Sequence, residues 1–487
     1  MKYMVQSKFL RRYRLRILSF LCMVTFTIMM LHNWEYRLRL KNLQTVVDNY
    51  LERVSEMALF TSTDLKMKDT WRRSGVEGSR IFSAYLDSRP EVVLNEYPSA
   101  GYNNLWALVR IIAIVDVQYK GSEFICHYKF SSKNSEDQEI MLEAPSAAVK
   151  IIAESENFGK MKYSAAFVLC KLLTKDDGEL PSQITFSSSS GKKFEELLDI
   201  DFVDIHYYPK SISFNQIRLM AVCVPTLHHN YDKYMNLIEF IEFYWMMGVD
   251  HFTIYNSSAS ENVSLVLEYY KKLGILTVIQ WQLPPIYKFE RTLRYNGIFA
   301  AMNDCLYRSS FIGGYKYIVN VDLDEFIVPR RYSNYPQLMD HLDPIAKPSQ
   351  DAVFIFRNMF FYLIYEDSEK PQEPPNSTKL LLHTKTTRLK DINEAFSRTK
   401  YICRGLDVVE MGNHQVWYTK TMPWFFQNGF QHFVVDPEIA ASHHYRYCEV
   451  SENICWLLDT VVDETAQRFT KELARRVMAS TPEIQLR

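Results

Sequence analysis

The sequence lacks the short motifs that mark several common ligand-binding sites. It contains neither G-x-G-x-x-G nor G-x-x-x-x-G-K, so it supports neither a dinucleotide-binding fold nor a P-loop. It contains no C-x-x-C pair, and this absence argues against a zinc site. The formal net charge is −1 and the two signs are interspersed, so there is no electrostatic case for nucleic-acid binding.

The N-terminus is marked by the charges that it lacks. Residues 1–16 contain six basic residues and no acidic one, and residues 17–31 contain no charged residue. No small-x-small cleavage site follows, so the pattern predicts an uncleaved signal-anchor; a cleaved signal peptide on a secreted protein is the alternative. We expect a cytosolic tail at 1–16, a transmembrane span at 17–34 and a lumenal remainder. The short span favours a thin membrane of the early secretory pathway.

The remainder of the chain carries features that suit a lumenal location. Three N-x-S/T sequons, at Asn256, Asn262 and Asn376, follow the span and would be usable only in the lumen. Of the eight cysteines, Cys22 lies in the span, and the other seven allow up to three disulfides and one free or intermolecular thiol. The sequence does not reveal their pairing.

The first half of the chain shows a stem and a strand-rich region. Between Tyr36 and Met57, apolar residues recur at alternating steps of four and three, which predicts a helical stem within 35–80. This helix would either pair with a second copy as a homodimer or pack on its own domain. Residues 81–205 contain β-branched and aromatic runs separated by polar turns, which predicts a smaller, mostly β lumenal domain without catalytic motifs.

A different rhythm begins at about residue 206 and continues to 455, before a C-terminal helical tail at 456–487. Predicted strands alternate with predicted helices, the third helix running from about 292 to 307. The strands are expected at 217–224, 252–255, 275–281 and 317–321. Such a β-α-β-α-β-α-β order predicts a parallel sheet with right-handed crossovers, and these sheets bind ligands at the carboxyl ends of their strands.

The fourth of these strands, within YIVNVDLDEFIV at 317–328, delivers Asp322 and Asp324 to such an end. Side chains two residues apart on extended backbone face the same way, so both carboxylates can reach one Mn²⁺ or Mg²⁺ ion. Haloacid-dehalogenase-type phosphatases also use D-x-D, but on their first strand and with Thr or Val where this chain has Phe326. Nucleotide-sugar glycosyltransferases of the GT-A type place D-x-D after several β-α units, and this order favours them.

Four segments together resemble glycosyltransferase family 92. They are LIEFIEFYWMMGVDHF at 237–252, AMNDCLYR at 301–308, VDLDEFIVP at 321–329 and HHYR at 443–446. The resemblance implies an α/β enzyme of GT-A type, Rossmann-like, anchored as a single-pass type II protein in the Golgi membrane. It further implies an inverting transfer of galactose from UDP-galactose, with Mn²⁺, to build β-1,4 linkages on glycan acceptors.

The same resemblance implies roles for individual residues near the nucleotide. It places Pro225, Thr226 and Asn256 at the uridine site, although Asn256 also lies in a sequon. Three further candidate donor-binding residues lie on the helix before the acidic strand: Asn303, Asp304 and Arg308. Arg308 is a candidate partner of the diphosphate, with a solvated cation at the helix end as the alternative.

The metal and the acceptor need further residues. Asp324 is expected on the metal and Asp322 on the metal or the ribose. One of His443 and His444 is expected to complete the metal site, and since neighbours on a strand face opposite sides, only one can do so; we favour His444. An inverting transfer also needs a carboxylate that takes the acceptor proton, and Glu394 and Asp391 are the candidates.

Two other functions fit the same fold. The chain could be a catalytically inactive, membrane-anchored protein that binds glycans, or a transferase that uses another UDP-sugar. The intact Asp322, Asp324 and His pair argue against the first alternative.

Overall fold

The computed structural model describes most of the chain. It covers the residues 2–64, 70–98, 105–130, 141–153, 161–175, 178–188, 200–207, 218–344, 351–368, 379–420, 432–449 and 451–484, with side chains of the first helix only at 17–48. The helices are α1 (Lys2–Asp64), α2 (Pro90–Glu96), α3 (Tyr234–Met246), α4 (Glu261–Lys272), α5 (Ile298–Tyr307), α6 (Tyr335–Leu342), α7 (Leu381–Thr384), α8 (Glu452–Cys455) and α9 (Gln467–Glu483). The sequon at Asn376 lies outside the described residues.

Helix α1 contains both the predicted span and the predicted stem. Its section Ile17–Asp48 is long and apolar enough to cross a membrane, and the apolar window within it is exposed. Further along, Leu43 and Val47 are buried in the core of the strand-rich region. The helix therefore packs on its own domain, which is one of the two arrangements predicted for the stem, and homodimer formation stays a prediction.

The strand-rich region forms one sheet among the residues that the structure describes. Its strands are β1 (Arg72–Arg73), β2 (Arg80–Asp87), β3 (Leu108–Asp116), β4 (Phe124–Lys129), β5 (Met141–Pro145), β6 (Lys150–Ile151), β7 (Tyr163–Lys171), β8 (Gln183–Ser188) and β9 (Val203–His206). They lie in the order β5-β4-β8-β9-β2-β3-β7-β6, with β1 beside β2. The central strands β2, β3 and β7 are buried along almost their whole length, because α5 and its neighbours cover the face that α1 does not.

A buried ionic cluster joins this sheet to α5. Asp304 accepts hydrogen bonds from the hydroxyls of Ser83 at 2.6 Å and Tyr85 at 2.7 Å on β2, and from Tyr255 at 2.6 Å. The Arg308 guanidinium pairs with the same carboxylate at 3.0 Å. Burial would raise the pKa of Asp304, but the Arg308 cation and the three hydroxyl donors hold it below its usual value. Asp304 and Arg308 thus bind the two domains together.

The second half of the chain contains the predicted parallel sheet. Its strands are β10 (Arg218–Leu227), β11 (His251–Asn256), β12 (Leu276–Gln280), β13 (Tyr315–Asn320), β14 (Glu325–Pro329), β15 (Val353–Phe356), β16 (Asn358–Tyr362), β17 (Thr387–Leu389), β18 (Lys400–Arg404), β19 (Val408–Met411), β20 (Val416–Thr419), β21 (His432–Val435), β22 (Ala440–Arg446) and β23 (Thr460–Val462). The main sheet has the order β12-β11-β10-β13-β18-β15-β21, and its first four strands are parallel. The predicted β-α-β order is therefore confirmed.

The order of this sheet reverses between β10 and β13. Helices α3 and α4 pack on one face of the sheet and α5 on the other, because the chain first runs outward to β12 and then returns. Such a reversal opens a crevice at the carboxyl ends of the two strands. A smaller sheet, β14-β22-β16, lies beyond β13 and adds the residues that follow the acidic strand.

The third helix of this region begins later than predicted. It starts at Ile298 rather than near 292, because Tyr295 (φ 37°), Asn296 (φ 55°) and Gly297 (φ 76°) adopt the left-handed conformation. The indole N–H of Trp281 donates to the carbonyl of Asn296 at 2.8 Å and fixes this turn. An Asn-Gly pair tolerates positive φ, so the sequence did carry this signal.

Among the described residues, the cysteines form three disulfides. They are Cys126–Cys170, Cys223–Cys305 and Cys448–Cys455. Cys403 is buried and unpaired, and Cys22 lies exposed on α1. The predicted maximum of three disulfides is reached, and the second one joins β10 to α5 within the buried core.

Candidate active site

A cavity of about 1060 Å³ opens at the crevice between β10 and β13. Pro225 and Thr226 line it from the end of β10, and Asp322 and Asp324 line it from the turn after β13. His444 reaches it from β22. The structure thus brings together five of the residues that the sequence predicted to meet.

The acidic turn is held by the backbone on both sides. The backbone N–H of Asp322 donates to the Glu325 carboxylate at 3.1 Å, and the carbonyl of Asp324 accepts from the N–H of Tyr445 at 2.8 Å. The side chains of Asp322 and Asp324 remain partly exposed to the cavity. This arrangement fixes the turn and leaves two carboxylates available to a ligand.

His444 lies beside this turn because β14 and β22 pair with Glu325 opposite His444. The Nδ1 atom of His444 is 3.1 Å from a Glu325 oxygen and 3.0 Å from the Asn358 amide nitrogen, and Nε2 is 3.5 Å from an Asp324 oxygen. Burial alone would lower the pKa of His444, but Glu325 and Asp324 raise it above its usual value. Glu325 orients the ring so that Nε2 faces Asp324.

His443 faces the opposite side of the same strand. Its ring stacks on Phe361 with centroids 4.5 Å apart, and the residue is fully buried away from the cavity. Burial lowers the pKa of His443 to about 3, so the ring is neutral. The prediction that His443 could bind the metal is therefore wrong. The prediction that only one of the two histidines reaches the site, because neighbouring side chains on a strand face opposite sides, is confirmed.

A buried lysine that the sequence did not reveal completes the acidic cluster. Lys400, at the start of β18, has no exposed side-chain surface, and its Nζ lies 2.8 Å from Asp322, 3.3 Å from Glu325 and 3.0 Å from the Asn413 side-chain oxygen. Burial would lower the pKa of Lys400, but the two carboxylates raise it above its usual value. In sequence, a lysine before an apolar strand looks like a solvated strand end. Only the fold brings it to Asp322.

The residues present fit a divalent cation in part. Two ligands of one octahedral ion lie about 3 Å apart when each bond is about 2.1 Å long, and Asp324 Oδ2 and His444 Nε2 are near that spacing at 3.5 Å. The Asp322 carboxylate is already paired with the Lys400 ammonium at 2.8 Å. In the described part of the chain, no group of three or more acidic, histidine or cysteine side chains is arranged to hold a metal. The protein would therefore supply Asp324 and His444, with other ligands coming from the donor and water.

Other predicted donor-site residues lie outside the cavity. The Asn303 amide nitrogen donates to the Met411 carbonyl and the Asn303 oxygen accepts from the Met411 N–H, both at 2.9 Å, so Asn303 holds β19 in the core. Asp304 and Arg308 are occupied at the domain interface and do not line the cavity. For these three residues the prediction of donor binding is wrong. Asn256 ends β11 beside Leu227, outside the cavity wall, and its Oδ1 is buried without a hydrogen-bond partner among the described residues.

The predicted general bases are close to the site but not in it. Asp391 and Glu394 are exposed in the loop between β17 and β18 and do not line the cavity, whereas Phe396 and Arg398 of the same loop do. Their role in proton transfer is untested. Glu449, which the sequence did not single out, is a carboxylate that does line the cavity.

The fold and the site together define a class of protein. An α/β domain of GT-A type, with paired carboxylates at the crevice of its parallel sheet, is a glycosyltransferase. The family model for Glycosyltransferase family 92 matches residues 218–484, which is more than half of the chain, and the chain belongs to that family.

One curated relative and several solved structures are similar to this chain over part of its length. Beta-1,4-galactosyltransferase galt-1 of Caenorhabditis elegans is 32% identical over 261 residues, which is 52% of each chain, so this protein spans about half the length of that curated relative. The S. aureus TarS 1-349 structure is 12% identical, with a TM-score of 0.26 over 55% of this chain and 73% of that one. The Mycobacterium tuberculosis glucosyl-3-phosphoglycerate synthase structure is 12% identical, with a TM-score of 0.25 over 55% and 80%. TM-scores this low carry no argument for a shared site.

Proposed function

We propose that this protein transfers galactose from UDP-galactose to a glycan acceptor, with inversion and with a β-1,4 linkage, in the lumen of the Golgi. The observation that carries the proposal is the cavity in which Pro225 and Thr226 face Asp322, Asp324 and His444 across the crevice of the sheet. Membership of family 92 and the galactosyltransferase name of the worm relative support the choice of sugar.

The donor would lie with its uridine against Pro225 and Thr226 and its diphosphate toward the acidic turn. Mn²⁺, or Mg²⁺ in its place, would supply positive charge that stabilises the diphosphate as it leaves. Asp324 and His444 would hold the cation. Asp322, whose second oxygen is not in contact with Lys400, would accept a hydrogen bond from the ribose.

The acceptor hydroxyl must lose a proton to a carboxylate during an inverting transfer. The described residues that line the cavity include four carboxylates: Asp322, Asp324, Glu325 and Glu449. The first three contact Lys400 or His444, and Glu449 uses its Oε1 atom for ion pairs with Arg398 and Arg446, each at 2.7 Å. Because neither ion pair uses the Oε2 atom of Glu449 and Asp391 and Glu394 do not line the cavity, we propose that Oε2 takes the proton.

A donor screen tests the proposal. The full chain in detergent, with Mn²⁺ and a set of oligosaccharides, is expected to consume UDP-galactose and to leave UDP-glucose, UDP-N-acetylglucosamine and UDP-N-acetylgalactosamine largely intact. Nuclear magnetic resonance of the product would report the β anomer. Turnover of a different UDP-sugar would contradict galactose while leaving the class intact. Failure to bind any UDP-sugar in calorimetry would favour the inactive glycan-binding alternative.

The type II topology gives a separate prediction. In intact microsomes, a protease is expected to remove only residues before the span at 17–34, because the basic tail stays in the cytosol. Mass spectrometry of the protected fragment would locate the cut, and detergent-opened microsomes serve as the control. Protection of an N-terminal epitope together with digestion of the catalytic region would show the opposite orientation.

A further inference from the structure

The cavity has a second wall beside the residues proposed to hold the donor. It is formed by two short segments, 396–398 in the loop before β18 and 445–449 at the exit of β22. Two large aromatic side chains on this wall are unusually open to solvent: Phe396 is 45% exposed and Tyr447 is 63% exposed. Exposed aromatic rings inside a cavity favour a ligand that covers them.

The loop that carries Phe396 is held in a strained conformation. Phe396 (φ 66°) and Arg398 (φ 54°) are both left-handed, which bulky L residues rarely adopt. Strain of this kind persists only where surrounding contacts enforce it, and it concentrates at functional sites. An ion pair of 2.7 Å between Arg398 and Glu449 joins the two segments of the wall.

The second segment is fixed relative to the acidic turn. The N–H of Tyr445 donates to the Asp324 carbonyl at 2.8 Å, and Cys448 forms a disulfide with Cys455. The Lys233 ammonium lies over the Tyr447 ring, 5.6 Å from its centroid. The second wall and the turn that carries Asp322 and Asp324 are therefore held in a fixed arrangement. Two neighbouring substrate subsites require such an arrangement.

A carboxylate among the basic residues of this wall disfavours a diphosphate and leaves hydrogen-bonding groups for a hydroxylated ligand. Glu449 pairs with Arg398 and with Arg446, each at 2.7 Å, so it offsets one of the two guanidinium charges and would repel a second anion. Planar guanidinium and carboxylate groups beside an aromatic ring can hydrogen-bond hydroxyls while the ring covers the apolar C–H face of a sugar.

We propose that Phe396 and Tyr447, together with the Arg398–Glu449 ion pair, form the acceptor subsite and bind an oligosaccharide. This assignment rests on the proposed function, because it supplies the second substrate of the same transfer. The two rings hold the sugar, and the ion pair orients the hydroxyl that attacks the donor.

The test separates acceptor binding from donor binding. Phe396→Asn removes the ring and keeps a residue that tolerates positive φ, and Tyr447→Ala removes the second ring. Tyr447→Phe keeps the ring, and Tyr418→Ala removes a tyrosine that is 60% exposed and does not line the cavity. The full chain in detergent is measured for UDP binding by calorimetry, for binding to an array of N-linked and O-linked oligosaccharides, and for transfer kinetics.

Phe396→Asn and Tyr447→Ala are expected to raise the acceptor KM by about tenfold each and to reduce array binding in parallel. UDP affinity and the donor KM should match the wild type, which also shows that the variants are folded. Tyr447→Phe should retain more array binding than Tyr447→Ala, and the Tyr418→Ala control should behave like the wild type. Unchanged array binding, or a loss of UDP affinity as large as the loss of glycan binding, would overturn the subsite. A wild type that binds UDP but no glycan would overturn it too, with the donor site intact. A wild type that binds neither would overturn the proposed function itself.

Discussion

Asp324→Asn is expected to reduce sugar transfer by about a thousandfold or more while the protein stays folded. The amide keeps the size of the side chain but loses the negative charge that faces His444 Nε2 at 3.5 Å, and a cation held between them would lose its anionic ligand. Because Asp324 is partly exposed and makes no buried ion pair with Lys400, the substitution should leave the melting temperature nearly unchanged. Initial rates over a range of Mn²⁺ concentrations measure the first effect.

Asp459→Asn is the matched control, because that carboxylate is 84% exposed and does not line the cavity. It should transfer sugar like the wild type. Calorimetric titration of Mn²⁺ in the presence of UDP should show weaker binding for Asp324→Asn and no change for the control. Full activity of Asp324→Asn, or wild-type activity in the presence of a chelator, would contradict the proposal that Asp324 holds a cation that the transfer needs.

Lys400→Met is expected to lower the free energy of unfolding by about 3–5 kcal/mol. The substitution fills a similar volume but leaves Asp322 and the fully buried Glu325 without the cation that contacts both. An uncompensated buried charge is costly, and here it would also push the acidic turn apart. Thermal and denaturant unfolding of the full chain in detergent measure the loss. Lys390→Met, at a lysine that is mostly exposed, should change stability by less than about 0.5 kcal/mol.

A double substitution distinguishes lost charge balance from lost packing. Glu325→Gln in the Lys400→Met background removes one of the two stranded carboxylates and should recover part of the stability. If the double variant is as unstable as the sum of the single ones, Lys400 acts through its packing and not through its charge.

Local sequence patterns were enough to locate the core of the site. A run of β-branched residues ending in Asp322 and Asp324 predicted a buried strand, and the carboxyl end of such a strand in a parallel sheet lies at the ligand-binding edge. The alternation of side chains along a strand was likewise enough to separate His443 from His444. Both inferences need only the rule that side chains two residues apart on a strand face the same side.

What could not be predicted depends on contacts between distant parts of the chain. Asp304 lies on the helix before the acidic strand, and this position suggested a donor-binding role. In the structure, the hydroxyls of Ser83 and Tyr85 from the other domain donate hydrogen bonds to its carboxylate. Lys400 meets Asp322 only because β18 pairs with β13. Periodicity identifies the buried face of an element, but it does not identify which element covers that face.

The ionic cluster around Asp304 shows that the packing of the second domain extends beyond the residues that match the family model. The family match begins at residue 218, yet the partners of Asp304 on β2 lie well before it. A recombinant fragment cut at the family limits would expose one face of α5, with a half-neutralised carboxylate and the aromatic surface around it, to solvent. The N-terminal sheet thus supplies packing and hydrogen bonds that α5 of the second domain needs, so the two domains form one structural unit.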